Sequence, residues 1–218
     1  MFDYILFDFD GTLMDTSKGV FNSFDKVVAH YGLNIDRAIY STMIGPPLKE
    51  SFSKTLGLPE AEIQNAMQIY RSYYAQDGMF EAEIYSGVVE LIENLRAAGK
   101  KIFVATSKPE IYARQILERK EILGLFDFVG GSDLEEKSRV EKCDVVKYVL
   151  QSNGISAQKE KCLLIGDRHY DVDGAHSAGI KCAGILWGFG TRKEFEECGA
   201  DFIFESPEDA ESFLAGNQ

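Results

Sequence analysis

From residue 85 onward the chain alternates short apolar runs with amphipathic stretches, and this alternation constrains the fold more than any other feature. Apolar runs over 101–106, 126–130, 161–166, 183–186 and 201–204 read as strands, while 88–98, 110–121, 142–153, 170–178, 191–198 and 207–214 carry helical spacing. Strands separated by helices of about 10 to 15 residues require right-handed crossovers, which produce a parallel sheet covered by helices on both faces. The amino terminus adds one more buried strand through Ile5, Leu6 and Phe7. The fold class predicted is α/β, a doubly wound parallel sheet.

Residues 15–83 break the alternation. Asp15, Thr16 and Ser17 offer helix caps, and Val20, Phe21, Phe24, Val27, Val28 and Tyr31 follow at helical spacing up to Gly32. Ile44-Gly45-Pro46-Pro47 and Gly57-Leu58-Pro59 interrupt further helical patterns over 48–56 and 60–76. The expectation is an all-helical insertion, 15–83, in a core made of 1–14 and 84–218. Tyr70, Tyr73 and Tyr74 read as packing inside that insertion.

With 218 residues, 45% of them hydrophobic, the chain can bury one sizeable core and a smaller appendage. A formal charge of −12 leaves no basic surplus to release counterions from nucleic-acid phosphates, so nucleic acid is not an expected partner. A small phosphorylated molecule can still bind where a metal and a few lysines reverse the field locally. Cys143, Cys162, Cys182 and Cys198 are irregularly spaced without a CxxC pair, and read as reduced thiols. No apolar run approaches membrane-spanning length and the amino terminus enters a strand at once, so no membrane partner and a cytoplasmic location are expected.

In such sheets ligands sit at the carboxyl ends of the strands. The first strand ends in Asp8-Phe9-Asp10-Gly11-Thr12, the second in Thr106-Ser107-Lys108-Pro109, and the run over 161–166 in Gly166-Asp167-Arg168-His169-Tyr170-Asp171. Two carboxylates two positions apart repel unless a cation or a shared proton relieves them, which suggests a hard metal site, an acid/base pair, or both. Singly, Thr106 or Ser107 reads as a helix cap and Asp171 or Asp173 as a first-turn acid. Independent capping would not gather acids, a hydroxyl and lysines at one edge of one sheet.

These motifs, in this order around a helical insertion, resemble the haloacid dehalogenase superfamily, most closely its phosphatases with a helical cap of the phosphoglycolate phosphatase type. Asp8-Phe9-Asp10-Gly11-Thr12 matches the DxDGT motif, Thr106 the hydroxyl at the second strand, and Gly166-Asp167 with Asp171 the GDxxxD motif. Lys142 fits the motif lysine best by its distance from Asp167, with Lys137 and Lys108 competing; the proline that usually follows that lysine is absent. The resemblance implies a Rossmann-like core, Mg2+ as cofactor and a small phosphorylated metabolite as substrate, phosphoglycolate or a nucleoside 5'-monophosphate foremost. It implies Asp8 as nucleophile, Asp10 as acid and then base, and Thr106, Lys142 and backbone amides around Phe9, Gly11 and Ser107 on the phosphate. Asp8, Asp10 through its carbonyl, Asp167 and Asp171 would surround the metal, and the insertion would be a lid.

The chemistry explains why such residues are needed. Phosphate-monoester hydrolysis demands up to about 10^21-fold acceleration. A carboxylate nucleophile divides it into formation and hydrolysis of an aspartyl phosphate. Like charges 4 Å apart repel by about 4 kcal/mol at an effective dielectric of 20, which a cation and a lysine offset.

Other readings share parts of this pattern. A beta-phosphoglucomutase-type phosphomutase usually carries a Ser-Arg pair where this chain has Pro46-Pro47-Leu48, and a pyrophosphatase could use the same core. A dehalogenase would not need Asp10. A phosphoacceptor signalling domain, at about 100 to 150 residues, would have neither the insertion nor Asp167. A silent binding module is opposed by a competent residue at every motif. His30 and His176 read as surface or packing residues, His169 receives no chemistry, and Arg168 is structural or substrate-proximal.

Overall fold

A computed structural model describes residues 2–44, 46–134 and 138–216; Gly45 and the competing Lys137 lie outside them. The described chain runs β1 (Tyr4–Phe7), β2 (Met14–Asp15), α1 (Ser17–Tyr31), α2 (Leu48–Glu50), α3 (Glu60–Gln76), β3 (Glu83–Ile84), α4 (Val88–Ala97), β4 (Lys101–Pro109), α5 (Glu110–Arg119), β5 (Phe128–Ser132), α6 (Lys142–Ser152), β6 (Cys162–Gly166), α7 (His169–Ala178), β7 (Lys181–Ile185), α8 (Arg192–Cys198), β8 (Phe202–Phe204) and α9 (Pro207–Leu214). It divides into two compact units, Met1–Asp15 with Ile84–Gln218, and Thr16–Glu83.

The first unit is built on a six-stranded sheet of order β5-β4-β1-β6-β7-β8, with the strands paired in parallel. The α/β Rossmann-like core is therefore present. Ile5, Leu6 and Phe7 of β1 and Cys162 to Ile165 of β6 are almost wholly excluded from solvent, as expected of central strands covered on both faces. One side of the core packs Leu6, Phe103, Val146, Val149, Leu164 and Val172 together. Phe7 lies opposite both Val104 and Ile165, so the residues that follow Phe7, Val104 and Ile165 on the three strands emerge side by side. The chain passes from β1 to β4 and β5 on one side, then returns to β6 on the other, and this reversal of order creates a crevice at the strand ends.

Several elements differ from the sequence pattern, among them β4, which runs on past 106 to Pro109. β5 begins at Phe128 rather than 126 because Leu123–Leu125 takes a 3-10 turn and Asp127 turns its carboxylate back to accept from the Ile102 N–H. The expected helix over 48–56 is helical from Leu48 to Thr55, but only α2 is α-helical and Ser51–Thr55 is a π-helix, a difference that apolar spacing does not encode.

In the second unit α1 and α3 pack through aromatic side chains. Phe24 lies 5.1 Å from Tyr70, and Tyr70 stacks on Tyr74 at 5.6 Å, so these two members of the tyrosine stripe are core. Tyr73 instead donates to Glu81 at 3.4 Å. Lys49 pairs with Glu60 at 2.6 Å within this unit. Among the described residues no helix is long and apolar enough to cross a membrane.

Candidate active site

Asp8 follows β1 directly, and its N–H donates to Ile165 O at 2.9 Å, which ties the end of β1 to β6. Asp167 follows β6, and Asp171 lies in the first turn of α7, where its Oδ2 accepts from the Arg168 N–H at 3.0 Å. The three carboxylates are buried and offer oxygens within 4.8 Å of one another. Lys142, in the first turn of α6, places Nζ 2.7 Å from Asp8 Oδ1 and 2.7 Å from Asp171 Oδ1, and donates to Ala105 O at 3.2 Å. Its path requires Gly174 on α7, where an added Cβ would lie 2.4 Å from Lys142 Cγ.

The electrostatics follow from too many acids in one dry place. Burial pushes the Asp8 carboxyl up, Lys142 pulls it down and Asp171 pushes it up again, leaving it at about 6. Burial, then Asp171 and Asp8, hold Asp167 well above the usual carboxylate range, against the Phe189 N–H and Arg168. Burial alone would lower Lys142, but Asp171 and Asp8 outweigh it and the lysine stays charged. Three clustered carboxylates, two of them in contact with a single ammonium, make an oxygen-only donor set with an excess of negative charge, and Mg2+ fits it.

Asp10 does not join this cluster with its side chain. Its oxygens accept from Lys108 Nζ at 2.7 and 2.8 Å, which leaves only its carbonyl for the metal role expected of it. Lys108 thus faces Asp10, and Lys142 faces Asp8. Thr106 is buried within β4 at the point where its register with β5 begins to shift; its Oγ1 accepts the Lys108 N–H at 3.1 Å and keeps its own proton to donate. Ser107 beside it is exposed, and Phe9 is buried in the core.

The Gly11 N–H, expected on phosphate, donates to Met14 O at 2.8 Å, closing the turn in which Phe9 O accepts from Leu13 and Met14. The residue matters instead for shape: φ is 82° and an added Cβ would lie 2.1 Å from Asp167 Oδ2.

Residues 5–185 match the family model of haloacid dehalogenase-like hydrolases. The chain belongs to that family. It is 38% identical over 191 residues to a 5'-nucleotidase of Pseudomonas aeruginosa, covering 87% of this chain and 85% of that one. It is 34% identical over 200 residues to the tyrosine-protein kinase PtkA of Mycobacterium tuberculosis, covering 91% of this chain and 64% of the longer relative. A solved structure described as a predicted phosphatase from Clostridium acetobutylicum superposes with a TM-score of 0.92 at 34% identity, covering 99% of each chain. The protein is accordingly a hydrolase of the phosphatase type within the haloacid dehalogenase-like family.

The segment after β7, which no motif singles out, bonds to Asp167 and to the turn after β1. Phe189 N–H donates to Asp167 Oδ2 at 3.0 Å, and Trp187 Nε1 donates to Thr12 O at 3.1 Å. Gly188 allows the contact, since a Cβ there would lie 2.3 Å from Gly11 O. The paired glycines around Phe189 were the available signal. Glu194 of α8 accepts from Arg168 Nε at 3.1 Å and from the His169 N–H at 2.9 Å, so the segment just after Asp167 is tied to α8. His176 lies 3.0 Å from Asp201 and away from this cluster's hydrogen bonds.

Proposed function

We propose that this protein is a Mg2+-dependent phosphatase that hydrolyses small phosphorylated metabolites through an aspartyl phosphate on Asp8. The observation that carries the reading is the convergence of Asp8, Asp167 and Asp171 around Lys142 at the sheet's carboxyl edge. Asp8 attacks phosphorus, and Asp10 protonates the leaving alkoxide and then takes a proton from the attacking water. Lys142 and the Thr106 hydroxyl hold the phosphoryl oxygens, aimed there by α6 and by β4. Mg2+, held by Asp8, Asp167 and the Asp10 carbonyl with support from Asp171, would neutralise phosphate charge that otherwise repels the nucleophile. The unit Thr16–Glu83 serves as the lid that excludes bulk water and selects the substrate. Lys49, paired with Glu60, is not assigned to substrate.

Among substrates we favour a nucleoside 5'-monophosphate, supported by the identity to the Pseudomonas aeruginosa 5'-nucleotidase, over phosphoglycolate. A second reading, transfer of the same phosphoryl group to a hydroxyl acceptor, draws on the identity to PtkA. The experiment is phosphate release from nucleoside monophosphates, phosphoglycolate, sugar phosphates and pyrophosphate, with Mg2+ or after exhaustive chelation. Release from a nucleoside monophosphate that disappears on chelation is expected. Full activity after chelation removes the metal role, and preference for pyrophosphate or phosphoglycolate removes the nucleotide assignment.

A further inference from the structure

We infer that Lys108 is a positioning residue, which holds the Asp10 carboxylate in the orientation from which it receives the proton of the water attacking the aspartyl phosphate. The inference rests on the reading of Asp8 and Asp10 above, and it gives Lys108 a role distinct from that of Lys142, the lysine that faces Asp8.

The geometry is specific. Register between β4 and β5 shifts between Thr106 and Pro109. Across that stretch Ser107 is exposed and Lys108, on the same face as Thr106, is buried, with only 5% of the lysine side chain exposed. A lysine is rarely buried to this degree unless paired. Its backbone N–H is fixed on Thr106 Oγ1 at 3.1 Å, and its ammonium lies 5.5 Å from the centroid of the Phe9 ring. From there it reaches both oxygens of Asp10, at 2.7 and 2.8 Å. A carboxylate on a turn would otherwise sample several rotamers; contact at both oxygens fixes it in one. Thr106, in β4, and Asp10, after β1, are thereby tied together through one residue.

The step concerned balances simply. Water oxygen forms a bond to phosphorus while the bond from phosphorus to the Asp8 oxygen breaks. Asp8 departs as carboxylate, inorganic phosphate is released, and the proton of water ends on Asp10. Misorientation of the base slows this half of the cycle and spares the first half whenever the leaving group needs no proton.

An activated aryl phosphate provides that condition. With Lys108→Met, stopped-flow measurement is expected to show a stoichiometric burst of aryl alcohol followed by slow turnover. On the scale of general base catalysis, kcat should fall on the order of 10- to 100-fold. KM should fall with it, leaving kcat/KM within about twofold, a pattern in which only the second half is slowed. Lys108→Arg, which can still bond two carboxylate oxygens, should recover most of kcat. A folded Lys108→Met enzyme with unchanged kcat, or with kcat and kcat/KM lowered alike, overturns the inference. If that variant does not fold, the same measurement on Lys108→Gln decides. Asp10→Asn is run in parallel: a burst there without one in the Lys108 variants defeats the Lys108 inference alone, whereas undiminished turnover in Asp10→Asn brings down both readings.

Discussion

Replacing Lys142 with Met tests whether the acidic cluster is held together as described. The substitution keeps an unbranched apolar stem in the channel beside Gly174 and deletes the ammonium that lies 2.7 Å from Asp8 and 2.7 Å from Asp171. At an effective dielectric of 20, each contact carries about 6 kcal/mol of gross attraction. Against that stands the several kcal/mol needed to strip water from each ion. What remains visible is the cost of leaving buried acids without their counter-charge, about 3–5 kcal/mol. For a chain of this size such a loss lowers the melting temperature by roughly 6 to 20 °C. The assay is thermal unfolding of both proteins in chelator-containing buffer, followed by circular dichroism. The double variant Lys142→Met/Asp171→Asn should regain part of the loss because one of the orphaned charges is gone. A Lys142→Met protein that melts within about 2 °C of the parent, on the same scale, would refute the reasoning.

Two further predictions concern groups around the same sheet. Gly174→Ala places a methyl 2.4 Å from Lys142 Cγ and should cost about 1–3 kcal/mol by overpacking. Displacement of the lysine should lower kcat on the order of 10- to 100-fold, and steady-state kinetics matching the parent would show that Gly174 does not gate the lysine's path. Asp127 is raised by burial but lowered further by Lys101, the Ile102 N–H and Arg96, so its folded pKa lies below its ordinary value. Its contribution, about 1–2 kcal/mol, is therefore complete above an unfolded pKa near 4 and is lost as pH falls through the lower folded value. The gap in urea stability between the parent and Asp127→Asn should shrink from pH 7 to pH 3, and a pH-independent gap contradicts the assignment.

The sheet and its strand ends were legible because they depend on local pattern. Runs such as Leu163-Leu164-Ile165 are buried on both faces, and a residue directly after such a run emerges at the carboxyl edge whatever else the chain does. Asp8, Thr106 and Asp167 could therefore be singled out together, and Lys142 from its spacing to Asp167. What escaped depends on contacts between residues distant in sequence or on backbone detail within one turn. Trp187 and Phe189 reach Thr12 and Asp167 from a loop with no apolar period. Lys108 shares the buried face of Thr106, but its pairing with Asp10 joins two strands far apart in sequence and leaves no local mark. The Gly11 amide looked available because the sequence shows a glycine after two acids, and only the folded turn reveals its bond to Met14.

The central claim is covalent attack by Asp8, and trapping the intermediate tests it most directly. The enzyme, turning over a preferred phosphate ester in Mg2+, is quenched in acid and treated with borohydride, which reduces an acyl phosphate to the alcohol, and its peptides are mapped by mass spectrometry. The account predicts homoserine in place of aspartate at position 8, dependent on substrate and absent from Asp8→Asn. Conversion at another acid, or an unmodified Asp8 peptide from an enzyme caught in active turnover, would contradict it.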